Sequence, residues 1–276
     1  MRSGPLSCAR SISVSPIDLE PLRDLAVRLT ERAAAIHREG RERGFSVDEK
    51  SSPADLVTDV DRAAELAIVE GIRRERPDDA ILGEEGTDRP GTTGVRWVID
   101  PLDGTASYVR GYPGYCACVG VEVDGEAVVG VVVDSRGART EGVRGAGAVH
   151  QGKPIRPSRH EELSSAVLAT GFGYDPDERE RQAAVAAVVL PRVADIRRAG
   201  SAAWDLVAAA AGWVDAYYEV GLSPWDLCAG WAIVEAAGGV VRVIPQPLGR
   251  DLVIAAPGQL VDPLLALLGE AGLETG

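Results

Sequence analysis

Six acids stand in this sequence where chemistry can be done: Asp61, Glu84, Asp100, Asp103, Glu219 and Asp226. Three fall just past a strand and two at or before a helix start, the positions from which folds display functional side chains. The densest group is Asp100-Pro101-Leu102-Asp103-Gly104-Thr105. It offers two carboxylates, a glycine for a tight turn and a hydroxyl where a helix can begin. Carboxylates, free backbone N–H groups and a hydroxyl suit a divalent cation and a phosphate. Taken alone, the run fits an Asx-type turn with solvated acids as well, and Gly83-Glu84-Glu85-Gly86 fits a solvated turn. His37, His150 and His160 are scattered and no G-x-S-x-G elbow occurs. The chemistry is therefore that of carboxylates and a cation, and all-oxygen ligation suits Mg²⁺ or Mn²⁺ better than Zn²⁺.

The elements that must hold these acids follow from periodicity. Val95 to Ile99 reads as a strand, and because Pro101 has no N–H to donate, the chain is expected to leave the sheet at Asp100. Leu19, Leu22, Leu25, Ala26, Leu29, Ala33 and Ile36 recur at helical spacing, which predicts a helix starting near Ser15 and ending near Gly40. Arg41 to Pro53 is polar and reads as a mobile loop or an idle linker. A second helix is predicted over Asp59 to Arg74, with Asp59 or Asp61 as its cap. Ala80-Ile81-Leu82 is a short strand. Tyr115 to Val143 reads as an antiparallel meander, and the glycines from Gly145 to Gly152 as a further hairpin without the context of a dinucleotide site.

Beyond about Arg156 strands and helices alternate. Val167-Leu168-Ala169, Ala216 to Val220 and Leu252 to Ala256 are strands. Asp177 to Val189, Ser201 to Ala211 with Ser201 as cap, Pro224 to about Ala237 and Val261 to Leu268 are helices. An α+β half thus precedes an α/β half, with the boundary near residues 150 to 160.

Composition narrows the function classes. The 276 residues can bury a sizeable core, and 45% are apolar. A formal net charge of −13 leaves no basic footprint for nucleic acid. An acidic protein still accepts an anionic substrate where bound cations invert the local field. Cys8, Cys116, Cys118 and Cys228 form no C-x-x-C pair, so thiols in a reducing cytoplasm are the expectation. No apolar run is long enough to cross a bilayer. Residues 1–15 lack the apolar core of a signal peptide and read as a flexible tail.

Together, the motifs resemble those of the inositol monophosphatase family, the Mg²⁺-dependent, lithium-sensitive phosphatases. Asp100-Pro101-Leu102-Asp103-Gly104-Thr105 matches that family's first signature, and Trp225-Asp226-x-x-Ala229-Gly230 through Gly238-Gly239 its second. Asp55-Leu56-Val57-Thr58-x-x-Asp61, Gly83-Glu84-Glu85 and Gly200-Ser201-Ala202-Ala203 complete five motifs in the expected order, and the likeness runs from about Leu19 to Leu268. It departs at Ser107 and Tyr108, where the family commonly has Asn and Phe. It departs again at Ala236, which replaces the acid usual beside Gly238-Gly239; Glu235, one position earlier, is rotated about 100° away.

The resemblance implies a role for each residue. Glu84, Asp100 and the Leu102 carbonyl hold a first Mg²⁺; Asp100, Asp103 and Asp226 hold a second. Glu84, near Asp61 and the Lys50 loop, holds a weaker third. Glu84 and Thr105 orient a metal-activated water, while the N–H groups of Gly104 and Thr105 cradle the phosphate. Glu219, Asp103 and the backbone near Ala202 meet the substrate's hydroxyls.

The implied fold is α+β, a layered αβαβα sandwich of the inositol monophosphatase and fructose-1,6-bisphosphatase type. Residues 16–276 form a single unit in two subdomains, about 16–155 and 156–276, and a homodimer is implied. The implied activity is hydrolysis of a small polyol phosphate, inositol 1-phosphate first, in the cytoplasm and without nucleic-acid or membrane partners. Histidinol phosphate, fructose 1,6-bisphosphate and a 3′-phosphonucleotide are rival substrates. The absence of a Lys-Glu pair at Ala106-Ser107 speaks against the nucleotide. A regulatory RNA- or ribosome-associated protein is the rival from another class.

Overall fold

The computed structural model describes residues 17–247 and 249–276. The expected N-terminal tail and Cys8 lie outside the described residues. The first half begins with helix α1 (Glu20–Arg43), a hairpin of β1 (Val47–Glu49) and β2 (Leu56–Thr58), and helix α2 (Asp59–Glu75). It continues with β3 (Ala80–Gly83), β4 (Asp88–Arg89), β5 (Val95–Asp103), helix α3 (Thr105–Arg110), β6 (Cys116–Val123) and β7 (Glu126–Asp134). Then come β8 (Arg139–Val143), β9 (Gly147–His150) and β10 (Lys153–Pro154). These last eight strands, β3 to β10, form one sheet in the order β10-β9-β8-β7-β6-β5-β3-β4, antiparallel except for the parallel β3–β5 pair.

The second half holds β11 (Val167–Thr170), α4 (Pro176–Val189), β12 (Asp195–Arg197), α5 (Ala202–Ala210), β13 (Ala216–Val220) and α6 (Pro224–Ala236). It ends with β14 (Val240–Ile244), β15 (Leu252–Ala256) and α7 (Gly258–Glu270). Its five strands pair in the order β12-β11-β13-β15-β14, with β13–β15 and β14–β15 antiparallel.

Strand alternation explains the layering, since successive side chains point to opposite faces. On β6, Ala117, Val119 and Val121 join Leu22, Leu25, Ile68 and Ile72 of α1 and α2, whereas Cys116 and Cys118 face Leu206 and Ile233 of α5 and α6. On the smaller sheet, Tyr217, Val253 and Ala255 face α5 and α6; Tyr218, Leu252 and Ile254 pack on Val185 of α4 and Leu264 of α7. The order of layers is α1/α2, large sheet, α5/α6, small sheet, α4/α7, the αβαβα sandwich.

A stripe of glycines sets the central layer's depth. Gly120, Gly130 and Gly142 are register neighbours across β6, β7 and β8. A Cβ on Gly130 would lie 2.0 Å from the Ala229 carbonyl oxygen, and one on Gly142 2.6 Å from Ile233 Cα. Only glycine lets α6 sit this close to the sheet.

Several expectations are corrected. Helix α1 runs past Gly40 to Arg43 and stops at Gly44, whose φ of +84° ends the helix. The polar stretch read as a loop contains β1, fully exposed along its length and so without the alternation that marks a strand in sequence. Thr58, not Asp59 or Asp61, caps α2: its hydroxyl accepts from Val60 and Asp61 N–H, and Asp61 returns a bond to Thr58 N–H. The chain leaves the sheet at Asp103 rather than Asp100, because Pro101 sits in an irregularity between the pairs Asp100–Cys118 and Asp103–Cys116. The sequence reading also passes over β12 and β14. No described helix is long and apolar enough to cross a membrane.

Candidate active site

The irregularity in β5 is the first device of the site. Leu102 N–H turns back onto Asp100 Oδ1 at 3.0 Å, and His37, buried in α1, donates from Nε2 to the Pro101 carbonyl at 2.8 Å. Burial lowers the pKa of His37 to about 4, so it serves this bond as a neutral ring. Gly104 then caps α3 with φ +95°; a Cβ there would strike the Gly114 carbonyl at 2.5 Å. Tyr108, which stands where phenylalanine was expected, is fully buried and its hydroxyl donates to the His37 carbonyl at 2.9 Å. The chain that carries both aspartates is thus clamped on α1.

Two helix starts in the central layer complete the cluster. In α6 the capping box lets Asp226 Oδ2 accept the Ser223 N–H at 2.7 Å. In α5, whose cap is Ser201 as expected, the Ser201 hydroxyl and the Ala203 N–H both reach Asp103 Oδ2, at 2.8 and 2.7 Å. One carboxylate oxygen from each of Asp100, Asp103 and Asp226 lies within 4.8 Å of the others. Each of these acids has one oxygen held by protein donors, which leaves the second for a ligand.

Glu84 stands beside them on the turn after β3. Glu65 of α2 fixes that turn: it is 5% exposed, its Oε2 accepts Glu85 N–H at 2.8 Å, and its Oε1 accepts from Thr87 N–H at 3.2 Å and Thr87 Oγ1 at 2.6 Å. Lys50 of the β1–β2 hairpin bridges Glu84 and Glu85 at 2.9 and 2.6 Å. Burial opposes charge on Lys50, yet the two carboxylates outweigh it and raise its pKa.

The electrostatics ask for a cation. Burial, then Glu84, Asp103 and Asp226, push Asp100 well above the carboxylate range; burial and Asp103 do the same to Asp226. Asp103 is pushed to about 6, chiefly by burial. Like charges this close do not all ionise at neutral pH without compensation. The available donors are carboxylate oxygens and the Leu102 carbonyl, a set that fits a hard divalent cation such as Mg²⁺.

Asp61 is placed otherwise than as a ligand. It is fully buried; Oδ2 accepts from Thr58 N–H and Oγ1 at 2.9 and 2.5 Å, and Oδ1 faces Thr105 Oγ1 at 2.9 Å. With both oxygens engaged, it orients Thr105.

The cleft, about 720 Å³, is lined by this cluster and reaches Glu219 and Val220 at the end of β13. Gly104, Thr105, Ala202 and Glu219 line it. Glu219 accepts from Tyr217 Oη at 2.7 Å and is raised to about 7 by burial. Asp205, also on the cleft wall, is raised to about 8 by burial and then by Glu219. The structure brings all ten sequence candidates, Asp61, Glu84, Asp100, Leu102, Asp103, Gly104, Thr105, Ala202, Glu219 and Asp226, to this one region. Glu235 is exposed on α6, away from the cluster. Sequence reasoning missed Glu65, His37, Ser201 as a partner of Asp103, and Asp205. The one available signal was polar residues on otherwise apolar helix faces, as at His37 in α1 and Glu65 in α2.

The model of the inositol monophosphatase family matches residues 18–270. The chain belongs to the inositol monophosphatase family. It is 42% identical to the Inositol-1-monophosphatase SuhB of Mycobacterium tuberculosis (strain ATCC 25618 / H37Rv), over 91% of this chain and 95% of that one. It is 39% identical to the Nus factor SuhB of Pasteurella multocida (strain Pm70), over 81% and 85% of the two chains. The solved structure of Mycobacterium tuberculosis SuhB superposes with a TM-score of 0.79 at 38% identity, covering 91% of this chain and 97% of that one. As an inositol monophosphatase family member the protein is a phosphoric monoester hydrolase of a metal-dependent kind, and the expected sandwich is the family fold.

Proposed function

We propose that this protein hydrolyses a small polyol phosphate, inositol 1-phosphate first, with Mg²⁺ in the acidic cluster. The observation that carries the reading is the set of three carboxylates, each with one oxygen pinned by the protein and one left for a ligand, beside the Asp61–Thr105 pair. Glu84, Asp100 and the Leu102 carbonyl would hold one ion, and Asp100, Asp103 and Asp226 a second. Glu84, with Asp61 and Lys50 near it, would hold a weaker third. Such cations would supply acidity to the attacking water and charge stabilisation to the leaving oxygen.

The chain's own groups do the rest. Thr105 donates its proton to Asp61, so its oxygen is free to accept from the attacking water, and Glu84 fixes that water from the other side. The first N–H groups of a helix lack intrahelical acceptors, which leaves those of Gly104 and Thr105 for the phosphate. Asp103, the backbone at Ala202 and Glu219 receive the substrate's hydroxyls. Residues 16–276 act as one unit, with the two halves supplying ligands to one cluster.

The test is Asp103→Asn. Its oxygen retains the Ser201 and Ala203 bonds while the charge is lost, so a folded protein with about 10²–10³-fold lower kcat is expected. Near-normal turnover would overturn the reading. A kinetic comparison of inositol 1-phosphate, histidinol phosphate, fructose 1,6-bisphosphate and 3′-phosphoadenosine 5′-phosphate ranks the substrates. Inhibition by millimolar LiCl and sedimentation as a dimer at micromolar concentration are expected on the same reading. The relatives named Nus factors raise an RNA-associated role; the −13 charge supports catalysis over it, and tight RNA binding by Asp103→Asn would reverse that preference.

A further inference from the structure

Asp205 stands in the first turn of α5, on the wall of the catalytic cleft, and is 3% exposed. Its Oδ2 accepts the Ala199 N–H at 3.3 Å. Its Oδ1 has no hydrogen-bond partner among the described residues. That oxygen is nevertheless not one of the polar atoms sealed in the interior without a partner, so it keeps an open face towards the cleft. Native structures seldom leave a nearly buried carboxyl oxygen unused, and in a substrate cleft the missing partner belongs to the substrate.

Glu219 stands beside it. After burial, Glu219 is the group that acts most on the Asp205 carboxyl. Glu219 is itself a seated acid: its Oε2 accepts from Tyr217 Oη at 2.7 Å, and a Cβ on Gly171 would come within 2.0 Å of the same oxygen. Only a residue without a side chain leaves room there for the carboxylate. The cleft wall at α5 and β13 thus offers two carboxyl groups, each with one oxygen held by a protein donor and one left over.

The surroundings decide what kind of group these oxygens receive. Burial resists charge on both acids, raising Glu219 to about 7 and Asp205 to about 8. A hydroxyl donates and accepts, so it pairs with a carboxyl in either protonation state, whereas an ammonium pairs only with the ionised one. Arg198, on the same wall, acts on both acids and repels a further cation.

We propose that Asp205 is a specificity-determining residue: its Oδ1 takes one hydroxyl of the substrate while Glu219 takes another, so that the site selects phosphate esters carrying at least two free hydroxyls. The inference rests on the polyol-phosphate reading and adds a residue to it. Because Asp205 Oδ2 also holds the Ala199 N–H, the group that reads the polyol is tied to the turn from which Ser201 and Ala203 reach Asp103.

Asp205→Ala and Asp205→Asn are compared with the parent enzyme in Mg²⁺ on inositol 1-phosphate and on 4-nitrophenyl phosphate, which offers no hydroxyl, with free inositol as inhibitor. The expected result for Asp205→Ala is a fall of about tenfold in kcat/KM for inositol 1-phosphate relative to 4-nitrophenyl phosphate, the worth of one hydrogen bond. The fall is carried by KM, and inhibition by inositol weakens in step. Asp205→Asn keeps an oxygen for Ala199 and a polar group towards the cleft, and is expected to restore most of the loss. An equal loss on both substrates would show that Asp205 only holds the turn before α5, and would overturn the proposal. So would unchanged kinetics on both, or a selective loss on histidinol phosphate, which would make the missing partner an ammonium. Failure of the underlying reading shows in the parent instead: no turnover of inositol 1-phosphate and no inhibition by inositol would overturn that reading and this proposal with it. If Asp205→Ala does not fold, the ¹³C carboxyl spectrum of the parent decides, with the Asp205 resonance identified by its absence from Asp205→Asn. It is expected to shift when inositol is added with Mg²⁺, and an unmoved resonance would overturn the proposal.

Discussion

Thr105 Oγ1 lies 2.9 Å from Asp61 Oδ1, a bond that ties the first residue of α3 to the first turn of α2. The alternative acceptor for the same proton is the Leu102 carbonyl at 3.1 Å. Asp61 therefore decides which way the hydroxyl points. In Asp61→Asn the remaining oxygen stays with Thr58, the amide faces Thr105, and the Thr105 proton turns to Leu102. Thr105→Val removes the hydroxyl at nearly constant shape. Both changes are expected to lower kcat by about 10²–10⁴-fold, the usual worth of a positioned proton acceptor, and Thr105→Ser to restore most of it. Steady-state kinetics at saturating Mg²⁺ checks this; an unaffected Thr105→Val would remove the residue from the mechanism.

Glu65 touches no candidate ligand, yet it anchors the turn that carries Glu84. Glu65→Gln replaces an acceptor of three bonds by a group that is half donor. The expected effect is a rise of about 10–100-fold in the Mg²⁺ concentration for half-maximal activity, as for outer partners of metal ligands, with kcat recovered at saturation. Activity titrated against Mg²⁺ separates this from a general loss of fold, which would lower kcat at every concentration.

The acidic cluster makes stability depend jointly on pH and cation. Asp100, Asp103 and Asp226 have pKa values raised by folding, so the folded metal-free chain holds protons that the unfolded chain has released. The stability this gives is full below about pH 4 and is lost as pH rises, through about 6 for Asp103. Mg²⁺ binds the ionised form, so its gain in Tm is expected to be larger at pH 8 than at pH 5. At a concentration of 100 Kd the gain is about 2.7 kcal/mol. Differential scanning fluorimetry with Mg²⁺ or EDTA measures it, and a gain independent of pH would remove the cluster as the binding site.

Asp205 gives a second, local titration. Its folded pKa of about 8 lies above the ordinary value of 3.8, so its contribution to stability declines between those limits as pH rises. Asp205→Asn keeps an oxygen for the Ala199 N–H at 3.3 Å and never ionises. The Tm of the variant minus that of the parent is expected to grow from pH 4 to pH 8 and then level off. A constant difference would show that Asp205 is ionised in the folded chain.

Much of the site could be read from the chain because its residues are local groups: Asp100 with Asp103, Ser201 with its helix. The positions that could not be read are those whose role is set by something distant. β1 carries no alternation because both its faces are exposed. Asp61 reads as a possible helix cap until Thr58 and Thr105 are seen on its two oxygens. Pro101 argues for leaving the sheet at Asp100, but the bond from His37, 64 positions earlier, belongs to a chain that rejoins β6 at Asp103.

By itself, then, the sequence determined an α+β half followed by an α/β half, the acids available and the oxygen chemistry they allow, while the layered αβαβα arrangement was implied by the family resemblance. Those follow from hydrophobic periodicity and residue type, which act over a few positions. Only the tertiary structure decided which oxygen of each acid is spent on the protein and which remains for a ligand, and that α6 comes close enough for Asp226 to join Asp100 and Asp103. That approach depends on Gly120, Gly130 and Gly142 meeting across three strands, and on burial deep enough to raise the acids' pKa values. Both are properties of packing between segments far apart in the chain.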